Sequence, residues 1–60
     1  MEAVLNDGPL KGTRVEVEPV GGRPPSTVDV PDADGRIVRY CLGDWTQEGM
    51  SAEYSYLYPV

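Results

Sequence analysis

The chain reads as short runs of alternating apolar and polar residues, separated by segments rich in glycine and proline. Alternation with a period of two is typical of a β-strand with one buried face. Such runs occur at residues 2–6, 13–18, 26–30, 36–42 and 51–58. The seven glycines and six prolines leave almost no room for a helix between them. The pattern therefore predicts an all-β fold of four to five short strands.

The run at residues 36–42 is partly apolar on both faces. Val38, Tyr40 and Leu42 fall on one face. Ile37 and Cys41 fall on the other face, together with Arg39. Because a strand with two apolar faces is covered on both sides, we predict that this run lies in the middle of the sheet. Arg39 then either extends its stem outward to solvent or meets an acid on a neighbouring strand.

Turn signals predict how the strands are connected. Gly8 and Pro9 end the first run in a tight turn, and Asp34-Gly35 is a strong hairpin signal before the fourth run. Residues 43–50, which include Trp45, are predicted to form a connecting loop. The strands then follow one another as antiparallel hairpins in a single domain, residues 1–60. The predicted architecture is a small antiparallel meander or an SH3-like, partly open barrel.

Aromatic residues are concentrated in the last third of the chain. The run at residues 51–58 places Ala52, Tyr54, Tyr56 and Tyr58 on one predicted face. Tyrosine has a large apolar body and a polar tip, so such a stripe can either cover the core or form a docking surface for another protein. Both interpretations stay open from the sequence. The candidate partner-binding residues are Trp45, Tyr54, Tyr56, Tyr58 and Arg39, with Trp45 as the candidate anchor.

Composition narrows the classes of function. Ten acidic and five basic residues give a net charge of -5 and a pI near 4.3. This balance argues against a nucleic-acid binder that neutralises phosphates. The sequence shows no apolar run of membrane-spanning length and no signal-peptide pattern, so we expect a soluble, cytoplasmic protein without a membrane partner. A chain of this size also buries little apolar surface, and such chains commonly depend on disulfides, a metal or a partner.

Few residues could carry catalytic chemistry. Cys41 is the only cysteine and histidine is absent, which excludes an intrachain disulfide, the usual zinc sites and a histidine-activated nucleophile. Asp29, Asp32 and Asp34 surround a turn but lack the remaining ligands of a calcium loop. The glycines and arginine at residues 21–23 lack the lysine and helix of a phosphate-binding loop. We therefore expect no metal, no cofactor and no enzymatic activity, and we expect Cys41 to be a small core residue.

The two ends of the chain carry a family resemblance. The strands around the Gly-Pro-x-x-Gly turn at residues 8–12, together with the tyrosine-rich last strand, resemble small β-rich reading frames of actinobacteria and their tailed phages. The resemblance implies a protein of phage or prophage origin and assigns no catalytic residue. Proteins of this class commonly serve in virion structure or inhibit a host defence. The implied location is the cytoplasm of an infected bacterium or the virion.

Two function hypotheses follow from these observations. The leading one is a non-enzymatic protein-interaction module, in the form of a small virion accessory or capsid-decorating protein that packs on capsid protein or on copies of itself. The alternative is an acidic, phage-encoded inhibitor of a host defence nuclease or nucleic-acid-binding complex, whose carboxylates imitate phosphates. A small barrel that stacks nucleic-acid bases on its aromatic residues is disfavoured by the net charge of -5.

Overall fold

The framework of the protein is one curled sheet of five strands. The computed structural model describes residues 1–46 and 51–60. The strands are β1 (Glu2–Leu5), β2 (Arg14–Glu16), β3 (Thr27–Pro31), β4 (Ile37–Thr46) and β5 (Ser51–Pro59). A short 3-10 turn, Gly8–Leu10, follows β1. The sheet is mixed and curls into a half-barrel, so the all-β prediction is confirmed, and the partly open barrel is the better of the two architectures.

The strand order is β2-β1-β5-β4-β3, which departs from a series of sequential hairpins. β1 and β5 pair in parallel, with Ala3 opposite Ala52, whereas the other neighbouring strands are antiparallel. As a result β5, and not β4, lies in the middle of the sheet, and the successive strands β2 and β3 lie at opposite edges. The alternation of side chains defines the two faces of a strand but not its neighbours, so the expectation of hairpins throughout is wrong at this point.

The fourth strand is longer than the sequence pattern predicts. β4 continues through Thr46, so Trp45 lies in a strand and not in the predicted connecting loop. The other part of that predicted loop, residues 47–50, lies outside the described residues. Within residues 1–46 and 51–60, no helix is long and apolar enough to cross a membrane.

A bulge at Gly43 accompanies the extension of β4. Leu42 pairs with Tyr54 and Asp44 pairs with Glu53, which leaves Gly43 as an extra residue in β4. A Cβ atom at Gly43 would lie 3.3 Å from the Glu53 carbonyl oxygen, so glycine suits this close approach. Beyond the bulge the alternation resumes with Trp45 facing the concave side, where it packs against the core.

The hydrophobic core lies on the concave face of the half-barrel. Its buried members are Ala3, Leu5, Val17, Val38, Tyr40, Ala52 and Tyr54. Partly buried residues of β2, β3 and β4, among them Val15 and Val28, pack around this cluster. The predicted division of residues 36–42 is confirmed, because Val38 and Tyr40 are buried while Ile37 and Arg39 lie on the opposite, convex face.

Candidate functional site

A second bulge determines where the tyrosines of β5 point. Tyr40 pairs with Tyr56 while its neighbour Arg39 pairs with Tyr58, so Leu57 is an extra residue in β5. Cross-strand partners share a face, and the adjacent residues Arg39 and Tyr40 point to opposite faces. Tyr56 therefore lies on the concave side and Tyr58 on the convex side. The prediction of a single tyrosine face is wrong at Tyr58, because the extra residue reverses the alternation.

Arg39 joins three strands on the convex face. Its Nε and Nη2 atoms donate to the two carboxylate oxygens of Asp29 on β3 at 2.7 and 2.9 Å. Its Nη1 atom donates to the Tyr58 hydroxyl at 3.4 Å, and the guanidinium carbon lies 5.8 Å from the centre of the Tyr58 ring. The hydrogen bond from Arg39 holds the pKa of the Asp29 carboxyl below its usual value. Arg39 thus meets an acid on a neighbouring strand, which was one of the two predicted outcomes.

Exposed apolar side chains occupy nearby positions of β4 and β5. Tyr58 is 49 % exposed, Leu57 is 41 % exposed and Ile37 is 40 % exposed. Val60, which is 66 % exposed, donates its backbone N–H to the Ile37 carbonyl oxygen at 2.8 Å and so extends the same face. We call Ile37, Arg39, Leu57, Tyr58 and Val60 the convex patch. It combines accessible apolar area with an arginine that is already held in place.

Tyr54 is part of the core and is not available to a partner. Its side chain is fully buried, and its hydroxyl donates to the Pro25 carbonyl oxygen at 2.7 Å. Burial raises the pKa of the Tyr54 hydroxyl above its usual value. This contact fastens the connection between β2 and β3 to the concave face. Tyr54 was predicted as a partner-binding residue, and its complete burial corrects that prediction.

Tyr40 and Tyr56 hold the turn after β1 against the sheet. The buried Tyr40 hydroxyl donates to the Asp7 carbonyl oxygen at 2.7 Å and accepts the Leu10 N–H at 3.0 Å. The rings of Tyr40 and Tyr56 meet edge to face, with centres 5.5 Å apart. The Asp7 carboxylate accepts the Tyr56 backbone N–H at 2.6 Å. Tyr56 is partly buried by these contacts, so its main role in this structure is to pack the turn.

Gly8 allows the turn to approach these tyrosines closely. Its φ of 74° lies in the left-handed region that glycine adopts without strain. A Cβ atom at this position would lie 2.5 Å from the Tyr56 Cβ atom and 3.0 Å from the Tyr40 hydroxyl. The glycine was predicted as a turn residue, and the structure adds the close contact with the rings.

The candidate site residues are thus divided between two faces. Arg39 and Tyr58 lie together on the convex face, whereas Trp45, Tyr54 and Tyr56 face the concave side. Ile37, Leu57 and Val60 complete the convex patch and were not singled out from the sequence. Their signal was weak, because an isolated exposed apolar residue is common on protein surfaces and gains meaning only from its neighbours.

Register also gathers acids that are far apart in the sequence. Glu2 lies opposite Glu16 in the pairing of β1 and β2, and Asp44 lies opposite Glu53 in the pairing of β4 and β5. Like charges that face each other across strands are unfavourable, and so they are uncommon without a reason. We call these four residues the acidic region. No dense acidic face is evident in the sequence, because only the strand register brings these acids together.

Other residues with candidate chemistry have structural partners. The Asp32 carboxylate accepts the backbone N–H groups of Asp34 and Arg36 at 2.8 and 2.9 Å, and Asp29 is engaged by Arg39.

Cys41 is half-buried on the convex face opposite Ser55, so the expectation of a core cysteine is wrong. An open groove of about 400 Å³ lies along residues 20 and 23–26. In the described part of the chain, no three metal-binding side chains cluster together.

Comparison with protein-family models, with curated proteins and with solved structures finds no match to this chain. The fold and the surface alone therefore define the class of protein. It is a small, all-β half-barrel with an aromatic, arginine-centred patch on its convex face. The resemblance to phage and actinobacterial reading frames stays a prediction.

Proposed function

We propose that this chain is a non-enzymatic protein-interaction module that binds a protein partner through the convex patch. The observation that carries the proposal is the bulge at Leu57, which turns Tyr58 away from the core and places it beside Arg39. Bulges often serve to re-aim a side chain. In a regular strand Leu57 would pair with Arg39, and Tyr58 would share the concave face with Tyr56. The surplus residue therefore exposes a large aromatic side chain that the core could otherwise use.

The composition of the convex patch suits protein recognition. Tyrosine and arginine are enriched among residues that dominate binding energy at protein interfaces. Arg39 is fixed by two hydrogen bonds to Asp29 and by Tyr58, so less side-chain entropy is lost when a partner covers it. The neighbouring Ile37, Leu57 and Val60 supply exposed apolar area that a partner could cover. The partner expected from this chemistry presents an apolar surface with basic groups at its border.

The basic border is expected from charge complementarity. The protein carries a net charge of -5. The acidic pair of Asp44 and Glu53 lies on the same face as Arg39, five residues further along β4, or about 16 Å at the usual rise of a strand. A partner that covers the patch and extends toward this pair would therefore meet carboxylates. Complementary charge of this kind raises association rates and selects partners.

The proposal does not depend on an incomplete core. The chain exposes 3974 Å² of surface, close to the ~3,900 Å² expected for a folded monomer of its mass. The buried tyrosines have hydrogen-bond partners, and no buried side-chain nitrogen or oxygen lacks one in the described residues. The convex patch is thus additional to a core that is already packed.

Within this class, the resemblance favours a small accessory or decorating protein of a phage particle. Co-sedimentation with purified capsids of an actinobacterial tailed phage tests this role. The wild-type chain should pellet with the capsids, and the Tyr58→Asp variant should stay in the supernatant. Val20→Ser is the matched control, because Val20 is 69 % exposed and lies outside the convex patch. A wild-type chain that stays wholly in the supernatant at micromolar concentration would refute the capsid role.

The unique thiol offers a direct test of the docking face. Cys41 lies on the convex face, two residues from Arg39 along β4. A bound partner should slow its alkylation in the wild-type chain and in Val20→Ser, but not in Tyr58→Asp. If a partner binds without slowing the reaction in any variant, the convex face is not the interface.

The acidic region favours a second candidate function, inhibition of a nucleic-acid-binding defence complex. The like-charge pairs Glu2–Glu16 and Asp44–Glu53 place four carboxylates on the convex face, of which Glu2 and Glu16 are ion-paired with Arg14 and the Met1 nitrogen. Salt separates the two candidates. Binding through the convex patch should survive ~0.5 M salt, where charges are screened within a few Å, whereas binding through the acidic region should be lost. Glu53→Gln should strongly weaken the second mode, whereas in the first mode it should only slow association.

A further inference from the structure

Within residues 1–46 and 51–60, several strand edges have no neighbouring strand, and some of their N–H groups are blocked. Pro31 on β3 and Pro59 on β5 have no N–H group to offer. The Trp45 N–H is taken by the Asp44 carboxylate at 3.0 Å, and the Tyr56 N–H by Asp7. Blocking of this kind prevents a further strand from pairing at an edge. The edges that stay open are therefore informative.

β2 is an open edge with two unblocked positions. The Leu5 N–H donates to the Thr13 carbonyl oxygen and the Val17 N–H donates to the Met1 carbonyl oxygen. In an antiparallel ladder every second residue faces the partner strand, so the backbone groups of Arg14 and Glu16 point away from β1. Their side chains are 69 % and 79 % exposed. An additional strand could reach both N–H groups and both carbonyl groups.

We propose that a second copy of this chain pairs with β2 in antiparallel orientation, with the two copies of Val15 opposite each other. In this register Arg14 of the first copy lies opposite Glu16 of the second, and Glu16 of the first lies opposite Arg14 of the second. Each of these two pairs exchanges two backbone hydrogen bonds, so four bonds form around a two-fold axis. The two β2 strands are self-complementary in hydrogen bonding and in charge. The product is a closed dimer with a continuous sheet of ten strands.

Charge is the main reason to assign a second copy to this edge. In the single chain Glu2 and Glu16 lie opposite each other, and Arg14 reaches only Glu2, at 3.6 Å. The Oε1 atom of Glu16 accepts a hydrogen bond from the Met1 nitrogen at 2.9 Å. Pairing of two β2 strands brings Arg14 of the other copy beside each Glu16. An arginine of the other copy then lies directly opposite each Glu16 and offsets the repulsion between Glu16 and Glu2 in the same row.

The other open edge is less suited to self-pairing. On β3 the Ser26–Leu42 and Asp32–Arg36 backbone bonds leave Thr27 and Asp29 facing outward. Two β3 strands would place Asp29 against Asp29, Thr27 or Pro31, and none of these registers joins opposite charges. Pro31 also removes a donor from this edge. β2 is therefore the edge that selects a second copy.

The interface is small, so the dimer should be weak and should dissociate on dilution. A three-residue strand buries much less than the area of a stable complex. We expect association in the high-micromolar to millimolar range, measured by sedimentation velocity over a concentration series. Added salt should first screen the repulsion between the two copies, each of which has a net charge of -5. Further salt should then weaken the dimer, because ion pairs contribute to its stability.

Charge reversal provides the matched set of variants. Arg14→Glu and Glu16→Arg each place like charges opposite each other, and each should weaken self-association by about tenfold. The double variant Arg14→Glu/Glu16→Arg has the composition and net charge of the wild type, and it should dimerise as the wild type does. An equimolar mixture of the two single variants should form a heterodimer. These substitutions lie on exposed side chains, and circular dichroism checks that each variant is folded.

Amide hydrogen exchange locates the interface independently. The N–H groups of Arg14 and Glu16 should gain protection as the protein concentration rises, while those of Thr27 and Asp29 should not. Three outcomes would overturn the proposal: no self-association at millimolar concentration, protection at Thr27 and Asp29 instead, or a double variant that does not recover dimerisation. None of these results bears on the convex patch, because Arg14 and Glu16 lie outside it. Conversely, Tyr58→Asp leaves β2 unchanged.

Discussion

Tyr54 and Tyr58 lie four residues apart on the same strand and have opposite environments. Tyr54 is fully buried on the concave face, whereas Tyr58 is half exposed on the convex face beside Arg39. A regular strand would place them on the same face. The extra residue Leu57 separates them. The comparison shows that one inserted residue can assign the same residue type to the core on one side and to a binding surface on the other.

The buried tyrosines differ from the exposed one in what their hydroxyls do. Tyr40 and Tyr54 bond to backbone groups of Asp7, Leu10 and Pro25, which lie in the two long connections of the fold. Phenylalanine could fill the same volume but would leave these backbone groups without partners. The concave tyrosines therefore fasten loops, and the convex tyrosine forms part of a surface.

The largest expected effect comes from truncating a concave tyrosine. Tyr40→Ala removes a fully buried ring and two hydrogen bonds, which should cost roughly 3–5 kcal/mol and unfold a domain of this size. Tyr58→Ala should change the free energy of unfolding by about 1 kcal/mol or less, because its ring is half exposed. Urea unfolding followed by circular dichroism compares the two. Equal destabilisation by both variants would remove the distinction between the faces.

The next effect tests the turn that rests on Tyr56. Gly8→Ala should destabilise the protein by about 2–4 kcal/mol, because the new Cβ atom would overlap the Tyr56 Cβ atom and φ is positive. Gly12→Ala is the matched control. Its φ is 86°, yet a Cβ atom there would have nothing within 4 Å, so only the backbone strain of about 1–2 kcal/mol should appear. Thermal unfolding that ranks Gly12→Ala as the worse variant would contradict the close packing of the turn.

The faces of the strands could be predicted from the sequence because alternation is a local property. Spacing alone grouped Val38 with Tyr40 and Ala52 with Tyr54, and the structure shows that these shared faces are buried. The bulges at Gly43 and Leu57 could not be predicted from the sequence. A residue is recognised as extra only when the strand is paired with its partner strand. Assignment of all β5 tyrosines to one face failed for this reason.

Strand partners were also beyond the sequence pattern. The parallel pairing of β1 with β5 joins residues about 50 positions apart, as in Ala3 opposite Ala52, and no local signal marks it. The acidic region and the unblocked β2 edge depend on the same register. For Arg39 the sequence left two outcomes open, contact with solvent or with an acid on a neighbouring strand, and that physical argument did not require the register.

A smaller effect on stability is expected from the Tyr54 hydroxyl at alkaline pH. Burial raises the pKa of Tyr54 in the folded chain, so the unfolded chain loses this proton first. The free energy of unfolding should therefore fall as the pH rises from about 10, the usual tyrosine value, through the folded pKa. Tyr54→Phe should lose this alkaline dependence and about 1 kcal/mol of stability at neutral pH, because the Pro25 carbonyl oxygen loses its donor. Unfolding midpoints between pH 8 and pH 12 measure both, and an alkaline slope that is retained in Tyr54→Phe would show that another group is responsible.

The smallest effect concerns the convex patch at acid pH. Arg39 lowers the pKa of Asp29, so the ion pair stabilises the folded chain above the usual aspartate pKa near 4. This contribution should be lost as the pH falls below that value and through the folded pKa. Asp29→Asn should remove this part of the acid dependence, whereas Asp34→Asn in the β3–β4 turn is the control that keeps it. Because the pair is solvent-accessible, the effect on stability should be small and reduced by salt. Asp29→Asn should weaken partner binding more than it weakens folding, since Arg39 would no longer be held beside Tyr58. If binding is unchanged in Asp29→Asn at neutral pH, the fixed arginine is not what the partner recognises.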